Sequence, residues 1–573
     1  MAHLHEKMKK GRPYYYIREM ARVDGKPKVV NQIYLGSVDR LRELALERKR
    51  GPVKIRVEEF GALWLANMIE REVGLAAIID SVISKAKREK GPSVGEYFLY
   101  AVFNRMIDAC SKRALPDWYG STAIQVIRPV DTEALDSQHY WAKWERVRQD
   151  DIEKIASLFF KRIIEIEKPP RADAFLFDTT NYYTYMAGDT ESELAQRGKN
   201  KEGKGWLRQI GVALLVSRDA QLPLFFREYE GNRHDSKLFN QILDQVVSAM
   251  QKSGARGELT IVFDKGMNSE DNIAAIDATE KVHFITSYSP HYSDALIRVK
   301  LSEFKPVDTI KNRELTEKGR EDDRLVAWKT TGEYWGRERT VVVTYNPRTA
   351  AKQRYAFDRK LLDLQQVILD LRTKVQSGKK HWTGQKIIDE HYFDACSRLH
   401  LPKDLYELSV EKTKKKWQLL FRKNYHKIAK YIERFGKNII ITDHMDWKTD
   451  EILKASLDRY MVENAFRQSK DDDLVSVMPV RHWTDPKIRC HILTCVFALT
   501  FLRLIENRLH RAGVLLSAAS AMEQMHKLHS CVCWKDLKKD PDRMIEEPSE
   551  IQSQILRVFN NEIIGGVLQK IEK

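Results

Sequence analysis

The chain has 573 residues, of which 43% are hydrophobic and 10% aromatic, so it is too long for a single core and too apolar to be disordered. Its net charge of +16 is spread along the whole sequence, which suits a phosphate polyanion, although a charge that only keeps the protein soluble is the alternative. Six cysteines do not form a disulfide framework, and the apolar run 488–505 contains Arg489, His491 and Arg503, so we expect no secreted scaffold and no membrane span.

The first 170 residues are predicted to form a β-hairpin followed by a helical domain. In residues 1–52, two β-rich runs flank Asp24-Gly25, which is a strong signal for a hairpin turn. Residues 53–170 contain four segments with apolar residues at helical spacing, separated by Gly, Pro and Ser. Basic clusters at the helix ends fit a DNA-binding domain, but any helical accessory domain would show the same pattern.

Residues 171–289 change to strand-like patterns in the order β-β-β-α-β-α-β. The first strand leads to Asp178, and the fourth, LTIVF, ends at Asp264. Side chains at the carboxyl ends of neighbouring strands can converge on one site, although a single Asp at a strand end is usually a turn or capping residue. After the third strand, Asn232 and Asp235 fit either a metal- or DNA-orienting role or ordinary turn chemistry.

A basic loop, KNKEGKGWLR, lies beside the predicted sheet. It fits contact with a DNA backbone and a merely solvated loop equally well. Its cations are Lys199, Lys201, Lys204 and Arg208.

Residues 290–445 are predicted to be an α+β insertion with its own subdomain. A hairpin around Glu333–Gly336 carries Trp328 and Trp335, and a long amphipathic helix covers 358–375. Residues 446–510 are expected to return to the core, and residues 511–573 to form a helical tail. In that tail His526, His529, Cys531 and Cys533 lack the paired spacing of zinc ligands, which disfavours a zinc site.

The segment ILKASLDRYMVENAFRQSK, residues 452–470, is predicted to be one uninterrupted amphipathic helix. Its apolar stripe consists of Ile452, Leu453, Leu457 and Met461. Steps of four and seven residues bring a second stripe onto one face: Arg459, Glu463 and Lys470. An exposed charged stripe is the ordinary interpretation of such a pattern.

Three carboxylates, two at strand ends and one on this helix, suit a site for two Mg²⁺ ions. Hard oxygen ligands bind hard cations, and two ions about 4 Å apart can promote an in-line phosphoryl displacement. The hypothesis requires Asp178, Asp264 and Glu463 to meet in space.

Several motifs resemble those of bacterial insertion-sequence DDE transposases of the IS4 superfamily, and most closely the IS1634 group. They run from about Tyr14 to Arg508 and comprise IYLG, FDTTNYY, REYEGNRHDSKLF, VFDKGM, and YMVENAFRQSK followed by PVRHW. The resemblance implies an RNase H-like core, in which a mixed sheet is flanked by helices. It also implies catalytic divalent metals, with Mg²⁺ expected and Mn²⁺ acceptable, on Asp178, Asp264 and Glu463.

The resemblance also implies roles for residues around these acids. Arg459 and Lys470 would contact the phosphate beside the cut, whereas the family's tyrosine position holds Ser456, with Tyr460 one turn later. A tryptophan of the insertion, Trp328 or Trp335, would stack on a flipped base, unless both are core aromatics. We therefore predict a cytoplasmic, nucleoid-associated transposase that acts as a homodimer on terminal inverted repeats and target DNA. A catalytically inactive DNA-binding protein and a metal nuclease without strand joining are the alternatives.

Overall fold

The structure is a computed structural model that describes most of the chain. The described residues are 2–9, 12–23, 26–41, 54–85, 89–167, 174–186, 190–198, 205–218, 220–252, 258–414, 416–470, 475–535 and 540–571.

The chain begins with an antiparallel three-stranded sheet. Its strands are β1 (Ala2–Lys9), β2 (Arg12–Val23) and β3 (Lys26–Ser37). Pairing of β2 with β3 confirms the predicted hairpin, and β1, which the sequence analysis did not predict, pairs with the other side of β2.

A helical region follows, as its apolar spacing predicts. It opens with strand β4 (Lys54–Glu59). Its helices are α1 (Gly61–Val73), α2 (Leu75–Val82), α3 (Val94–Ile107), α4 (Leu115–Gly120), α5 (Ile124–Ile127), α6 (Ser137–Trp144) and α7 (Gln149–Glu167). Buried faces of these helices join the same hydrophobic core as the main sheet, so this region is packed onto the sheet rather than separate from it.

Residues 174–345 supply most of a ten-stranded mixed sheet. The first part contains β5 (Ala174–Thr184), β6 (Gln196–Arg197), β7 (Arg208–Ser217), β8 (Pro223–Glu230), α8 (Asp235–Lys252), β9 (Leu259–Phe263), α9 (Glu270–Ala278) and β10 (Val282–Tyr288). The second part contains α10 (Asp294–Ile297), β11 (Lys305–Pro306), α11 (Ile310–Glu317), β12 (Val326–Tyr334) and β13 (Arg337–Tyr345).

Residues 347–432 form a unit with its own hydrophobic core. Its elements are α12 (Pro347–Gln376), α13 (Gln385–Leu399), β14 (Tyr406–Thr413), β15 (Lys416–Lys423) and α14 (Tyr425–Ile432). The chain then returns through β16 (Lys437–Thr442), which lies between β13 and β10 in the main sheet.

The expectation that all of residues 290–445 lie outside the main sheet is therefore wrong. Strands β12, β13 and β16 extend that sheet, because the apolar runs at 341–343 and 439–441 are buried within it. Only the part from α12 to α14 has a separate core. The other domain boundaries, at 52, 170, 445 and 510, stay predictions.

The predicted helix 452–470 is two helices, not one. They are α15 (Thr449–Leu457) and α16 (Tyr460–Lys470), and the break falls at Asp458 and Arg459. The apolar stripe is also displaced, since Leu457 is 47% exposed whereas Val462 and Phe466 form the buried face of α16. The chain turns at the break, so a single helical periodicity cannot describe both segments.

The last segment packs back onto the helical region. Helix α17 (Asp485–Arg511) is long and apolar enough to cross a membrane, but 94% of its most apolar window is buried inside the protein, as predicted for this run. Beyond it lie α18 (Ala518–His526), β17 (His529–Trp534), β18 (Asp542–Ile545), α19 (Glu550–Val558), β19 (Asn561–Ile564) and β20 (Val567–Lys570). The predicted helical tail is thus a mixture of helices and strands, and β17 pairs with β4.

Candidate active site

Asp264 lies at the centre of the sheet, directly after β9. All five residues of β9 are buried, and β9 lies between the parallel strands β5 and β10. Asp264 is the first residue after the strand. The backbone N–H of Lys265 donates to Asp264 Oδ1 at 2.8 Å, and the Ser287 hydroxyl at the end of β10 donates to the same oxygen at 2.8 Å. This carboxylate is therefore fixed in orientation by two donors.

Asp178 is on β5, which runs parallel to β9 and pairs with it. Leu176 of β5 is paired with Val262 of β9, and each Asp stands two residues farther along its strand. Continued in this register, the two residues are opposite each other and point to the same face, with neighbouring strands about 5 Å apart. The backbone N–H of Thr179 donates to Asp178 Oδ1 at 2.8 Å, the same local contact that orients Asp264.

Glu463, near the start of α16, is joined to Asp264 by Arg459. The Arg459 guanidinium lies 2.9 Å from Glu463 Oε1 and 3.8 Å from Asp264 Oδ2. The Glu463 side chain is 52% exposed. One cation thus bridges two of the three predicted acids in this structure.

The direction of α16 brings Glu463 toward the two Asp residues. Tyr182 points to the same face of β5 as Asp178, since the two are four residues apart, and its hydroxyl lies 2.6 Å from Ser469 Oγ at the far end of α16. The helix therefore runs along β5 from the Asp end toward Tyr182. Glu463 is at the Asp end and Lys470 at the other, with the Lys470 ammonium 5.7 Å from the centre of the Tyr182 ring.

These elements enclose an open cleft of about 440 Å³. Polar side chains on its wall include Asp264, Lys265, Ser287, Tyr288, Thr344, Asn438, Ser456, Arg459, Tyr460 and Glu463. Asp178 is not among the residues that line the cleft. Of the predicted site residues, the structure thus gathers Asp264, Arg459 and Glu463 in the cleft, and the pairing of β5 with β9, if continued, directs Asp178 toward Asp264.

The electrostatics of the cleft keep Asp264 ionised. Burial raises the pKa of Asp264, but the positive charge of Arg459, the Ser287 hydrogen bond and the N–H and charge of Lys265 outweigh it, so the pKa lies below its ordinary value of 3.8. At neutral pH this group is a carboxylate with cations around it. Such a group is suited to holding a metal ion rather than to donating a proton.

A sequence model of the transposase DDE domain matches residues 170–501, which is more than half of the chain and includes all three acids. The chain belongs to the DDE transposase family. This confirms the family predicted from the motifs, although not the IS4 or IS1634 group within it.

Two solved transposase structures show a weak structural similarity to this DDE transposase chain. A piggyBac transposase synaptic complex with hairpin DNA has a TM-score of 0.37 and 9% identity, covering 81% of this chain and 78% of that chain. A Mos1 transposase paired-end complex with left transposon end has a TM-score of 0.15 and 9% identity, covering 37% of this chain and 64% of that one. Both scores are too low to support an argument, and no curated protein sequence matches.

Three other residues that were predicted to contact DNA make contacts within the DDE transposase chain itself. Arg208 donates to the backbone carbonyl of Ala195 at 2.9 Å. Trp328 is partly buried against the main core, and Trp335 packs edge-on against Phe284 and Tyr288, with ring centres 5.9 Å apart in both pairs. Base stacking by either Trp stays a prediction. The remaining loop cations, Lys199, Lys201 and Lys204, lie outside the described residues.

The metal- or DNA-orienting roles considered for Asn232 and Asp235 stay predictions. Asn232 is exposed, and Asp235 begins α8 with its side chain outside the described part of the structure. Near the C-terminus, His529 pairs with Glu546 at 3.0 Å, and burial raises the pKa of Cys531 to about 11, so its thiol stays protonated.

Two supporting contacts were missed by the sequence analysis. Ser287, which orients Asp264, is a polar residue at the end of a predicted strand, and this position was the available signal. Arg218, after β7, donates to Asp458 Oδ2 at 2.6 Å and so fixes the break between α15 and α16 from which Arg459 projects. No local sequence signal links Arg218 to Asp458, because the pair is formed only by the tertiary fold.

Proposed function

We propose that the chain is a transposase that cleaves DNA strands at the ends of an insertion sequence and joins them to new sites. Asp178, Asp264 and Glu463 are the catalytic acids in this proposal. The observation that carries it is that Arg459 joins Asp264 to Glu463, while Asp178 is on the strand paired in parallel with the one that leads to Asp264. More finely, we assign the chain to the IS4 superfamily and its IS1634-like group, on the motifs described above.

We further propose that the catalytic core is RNase H-like. The strand order β8-β7-β5-β9-β10 supports this. Strands β5, β7 and β8 form an antiparallel meander, and β9 and β10 lie beside β5 and run parallel to it. Both Asp residues then lie on the central strands of the sheet, where buried neighbours hold them most firmly.

The donor set fits divalent ions. The three side chains offer only carboxylate oxygens, which are the ligands that Mg²⁺ prefers and Mn²⁺ accepts. A guanidinium already lies between Asp264 and Glu463, in keeping with the attraction of their combined charge for a cation. When bound by these residues, two ions would act as Lewis acids that neutralise charge on the reacting phosphate.

The protein's own groups then position the DNA. Arg459 has two carboxylate partners in this structure, and its fork of donors also suits a phosphate, so we assign it to the phosphate beside the cut. Lys265 lines the same cleft and adds a second positive charge. Lys470, at the other end of α16, is assigned to a phosphate farther along the strand. Ser287 and the Lys265 N–H hold Asp264 in place.

The partners in this proposal are nucleic acid and a second copy of the chain. We propose that the protein binds double-stranded DNA, both terminal inverted repeats and target, as a homodimer on paired ends in the bacterial or archaeal cytoplasm. The net charge of +16 supports DNA binding, and the affinity should therefore fall steeply with salt.

Cleavage of a labelled duplex that carries the element's own terminal repeat tests the proposal. We would compare the wild type with Asp264→Asn and Glu463→Gln in Mg²⁺, using Glu280→Gln as a matched control because that side chain is 90% exposed on the same domain. Loss of an acid should lower the cleavage rate by at least about 100-fold, since metal-based charge stabilisation contributes several kcal/mol. The control should cleave normally.

The outcomes separate the alternatives. Cleavage and joining that require both acids support a transposase, whereas cleavage without joining indicates a nuclease on the same fold. Specific binding of the repeat without cleavage by the wild type indicates an inactive DNA-binding protein. Normal cleavage by Asp264→Asn would remove the assigned site altogether.

A further inference from the structure

A second cluster of possible ligand side chains lies at the opposite end of the central strands from Asp264. Glu258 immediately precedes β9, His283 is the second residue of β10, and His444 lies two residues after β16. Each offers one ligand atom, and the three atoms lie within 4.8 Å of one another. Glu258 and Asp264 are six residues apart along an extended strand, about 20 Å, so this cluster is separate from the acidic cleft.

Asp443 holds His283 in a fixed orientation. Its Oδ2 lies 2.8 Å from His283 Nδ1, while its Oδ1 accepts the backbone N–H of Phe284 at 2.9 Å. The second ring nitrogen of His283, Nε2, faces Glu258 with Oε2 3.7 Å away. A histidine that gives one nitrogen to a carboxylate and presents the other to an open position is the usual preparation of a metal ligand.

His444 is held just as firmly. Its Nε2 lies 2.7 Å from the Thr260 hydroxyl, and its ring stacks on Trp447 at 4.0 Å and 13°. The ring of His283 lies 4.5 Å away on the same cluster.

We propose that Glu258, His283 and His444 bind a single Zn²⁺ ion that fastens residues 443–447 to β9 and β10. Two imidazoles with one carboxylate form a typical zinc ligand set, whereas Mg²⁺ prefers oxygen ligands only. Zinc–ligand bonds of about 2.0–2.1 Å require the three atoms to approach one another slightly. The Glu258 side chain is 68% exposed and can make that movement.

The position of the site gives the ion a structural role. Residues 443–447 connect β16 to α15, and α15 leads directly to Arg459 and Glu463. An ion there would bind this connection to the two strands that also carry Asp264 and its partner Ser287. It would thus stabilise the attachment of the third acid's segment without contacting the DNA.

The competing interpretation is an ion pair without metal, in which a protonated His283 lies between Asp443 and Glu258. The two interpretations differ in metal content. We would purify the tag-free full chain, saturate it with Zn²⁺, pass it through gel filtration, and measure bound zinc by mass spectrometry and the unfolding temperature with and without EDTA. We expect one zinc per chain and a lower unfolding temperature after EDTA treatment.

Variants locate the ion. His444→Gln and Glu258→Gln should lose the bound zinc and its effect on the unfolding temperature, and Asp443→Asn should weaken zinc binding by about 10- to 100-fold. Glu258→Gln is the variant that leaves the fold intact, because its side chain is largely exposed. Asp264→Asn with Glu463→Gln, and separately Cys531→Ser, should retain the zinc.

Two results would overturn the proposal. One is a wild-type protein that retains no zinc after saturation and gel filtration. The other is zinc that is retained in Glu258→Gln and His444→Gln but lost when the acidic cleft or Cys531 is altered. Because the readouts are metal content and unfolding temperature, an inactive protein would not affect the result.

Discussion

Arg459 gives the sharpest test of the active-site assignment, because it has two roles that a single substitution separates. Its guanidinium neutralises Glu463 at 2.9 Å and Asp264 at 3.8 Å, and we assign it also to a DNA phosphate. Arg459→Gln keeps hydrogen-bonding capacity but removes the charge. The two acids should then hold Mg²⁺ more tightly, while the reacting phosphate loses a charged contact.

The expected magnitudes follow from the exposure of the groups. Glu463 is half exposed, so each ion pair contributes no more than about 1 kcal/mol, and the Mg²⁺ concentration for half-maximal cleavage should fall by up to about fivefold. A charge-assisted hydrogen bond to phosphate contributes about 1.5–3 kcal/mol, so the maximal rate should fall by about 10- to 150-fold. Arg459→Lys should restore the Mg²⁺ midpoint but only part of the rate, since an ammonium lacks the fork of donors.

The assay is single-turnover cleavage of a labelled end duplex across a Mg²⁺ titration. A reduced maximal rate together with a lowered Mg²⁺ midpoint is the expected signature. A merely structural role for Arg459 would instead raise the midpoint or leave it unchanged while the unfolding temperature fell. That second pattern, or an unchanged maximal rate, would refute the assignment.

Three further substitutions test contacts within the protein by urea denaturation, two of them beside α16 and one in the helical region. Tyr182→Phe removes the buried hydrogen bond to Ser469 and should lower the free energy of unfolding by about 1 kcal/mol; no change would mean that this contact does not hold α16. Arg218→Met leaves the carboxylate of Asp458 without its partner and should cost about 1–3 kcal/mol and slow cleavage, which an unaltered rate would contradict. Burial lowers the pKa of Lys112 to about 7, so the unfolded chain holds a proton that the folded chain has lost between pH 7 and 10.5, and stability rises with pH across that window. Lys112→Met should therefore stabilise the protein by about 1–4 kcal/mol near pH 6.5 and by less near pH 10, and a gain independent of pH would show that charge is not the cause.

Much of the sheet could be predicted from the sequence because its strands have local signals. The buried run before Asp264 is apolar throughout and short, as expected for a central parallel strand, and the acid follows at the first position where the chain can turn. The hairpin of β12 and β13 was predicted from its turn residues. Its turn is formed by Trp335 and Gly336, and both residues have positive φ. Local patterns of this kind do not depend on what packs against them.

The predictions that went wrong depended on long-range packing. Residues 452–470 keep helical spacing through the break at Asp458 and Arg459, so the sequence predicts one helix although the structure has two. The turn is stabilised by Arg218, which is distant in sequence. Lys470 shares the stripe and lies at the far end of α16 beside Tyr182, so its contact with the phosphate stays a prediction.

The pairing of β13 with β16 explains how a large insertion can separate two acids that belong to one site. Tyr345, at the end of β13, is paired with Lys437, at the start of β16, so residues 346–436 leave the sheet and return at neighbouring points. Most of these residues have a hydrophobic core of their own, and Lys430 and Arg434 pair with Asp294 outside the insertion. Beyond the insertion, Ile440 of β16 pairs with Ser287 of β10, the residue that donates to Asp264. The segment that leads to Glu463 is therefore paired with the strand whose Ser287 orients Asp264. Strand pairing, rather than the number of residues between the acids, sets the distance between them.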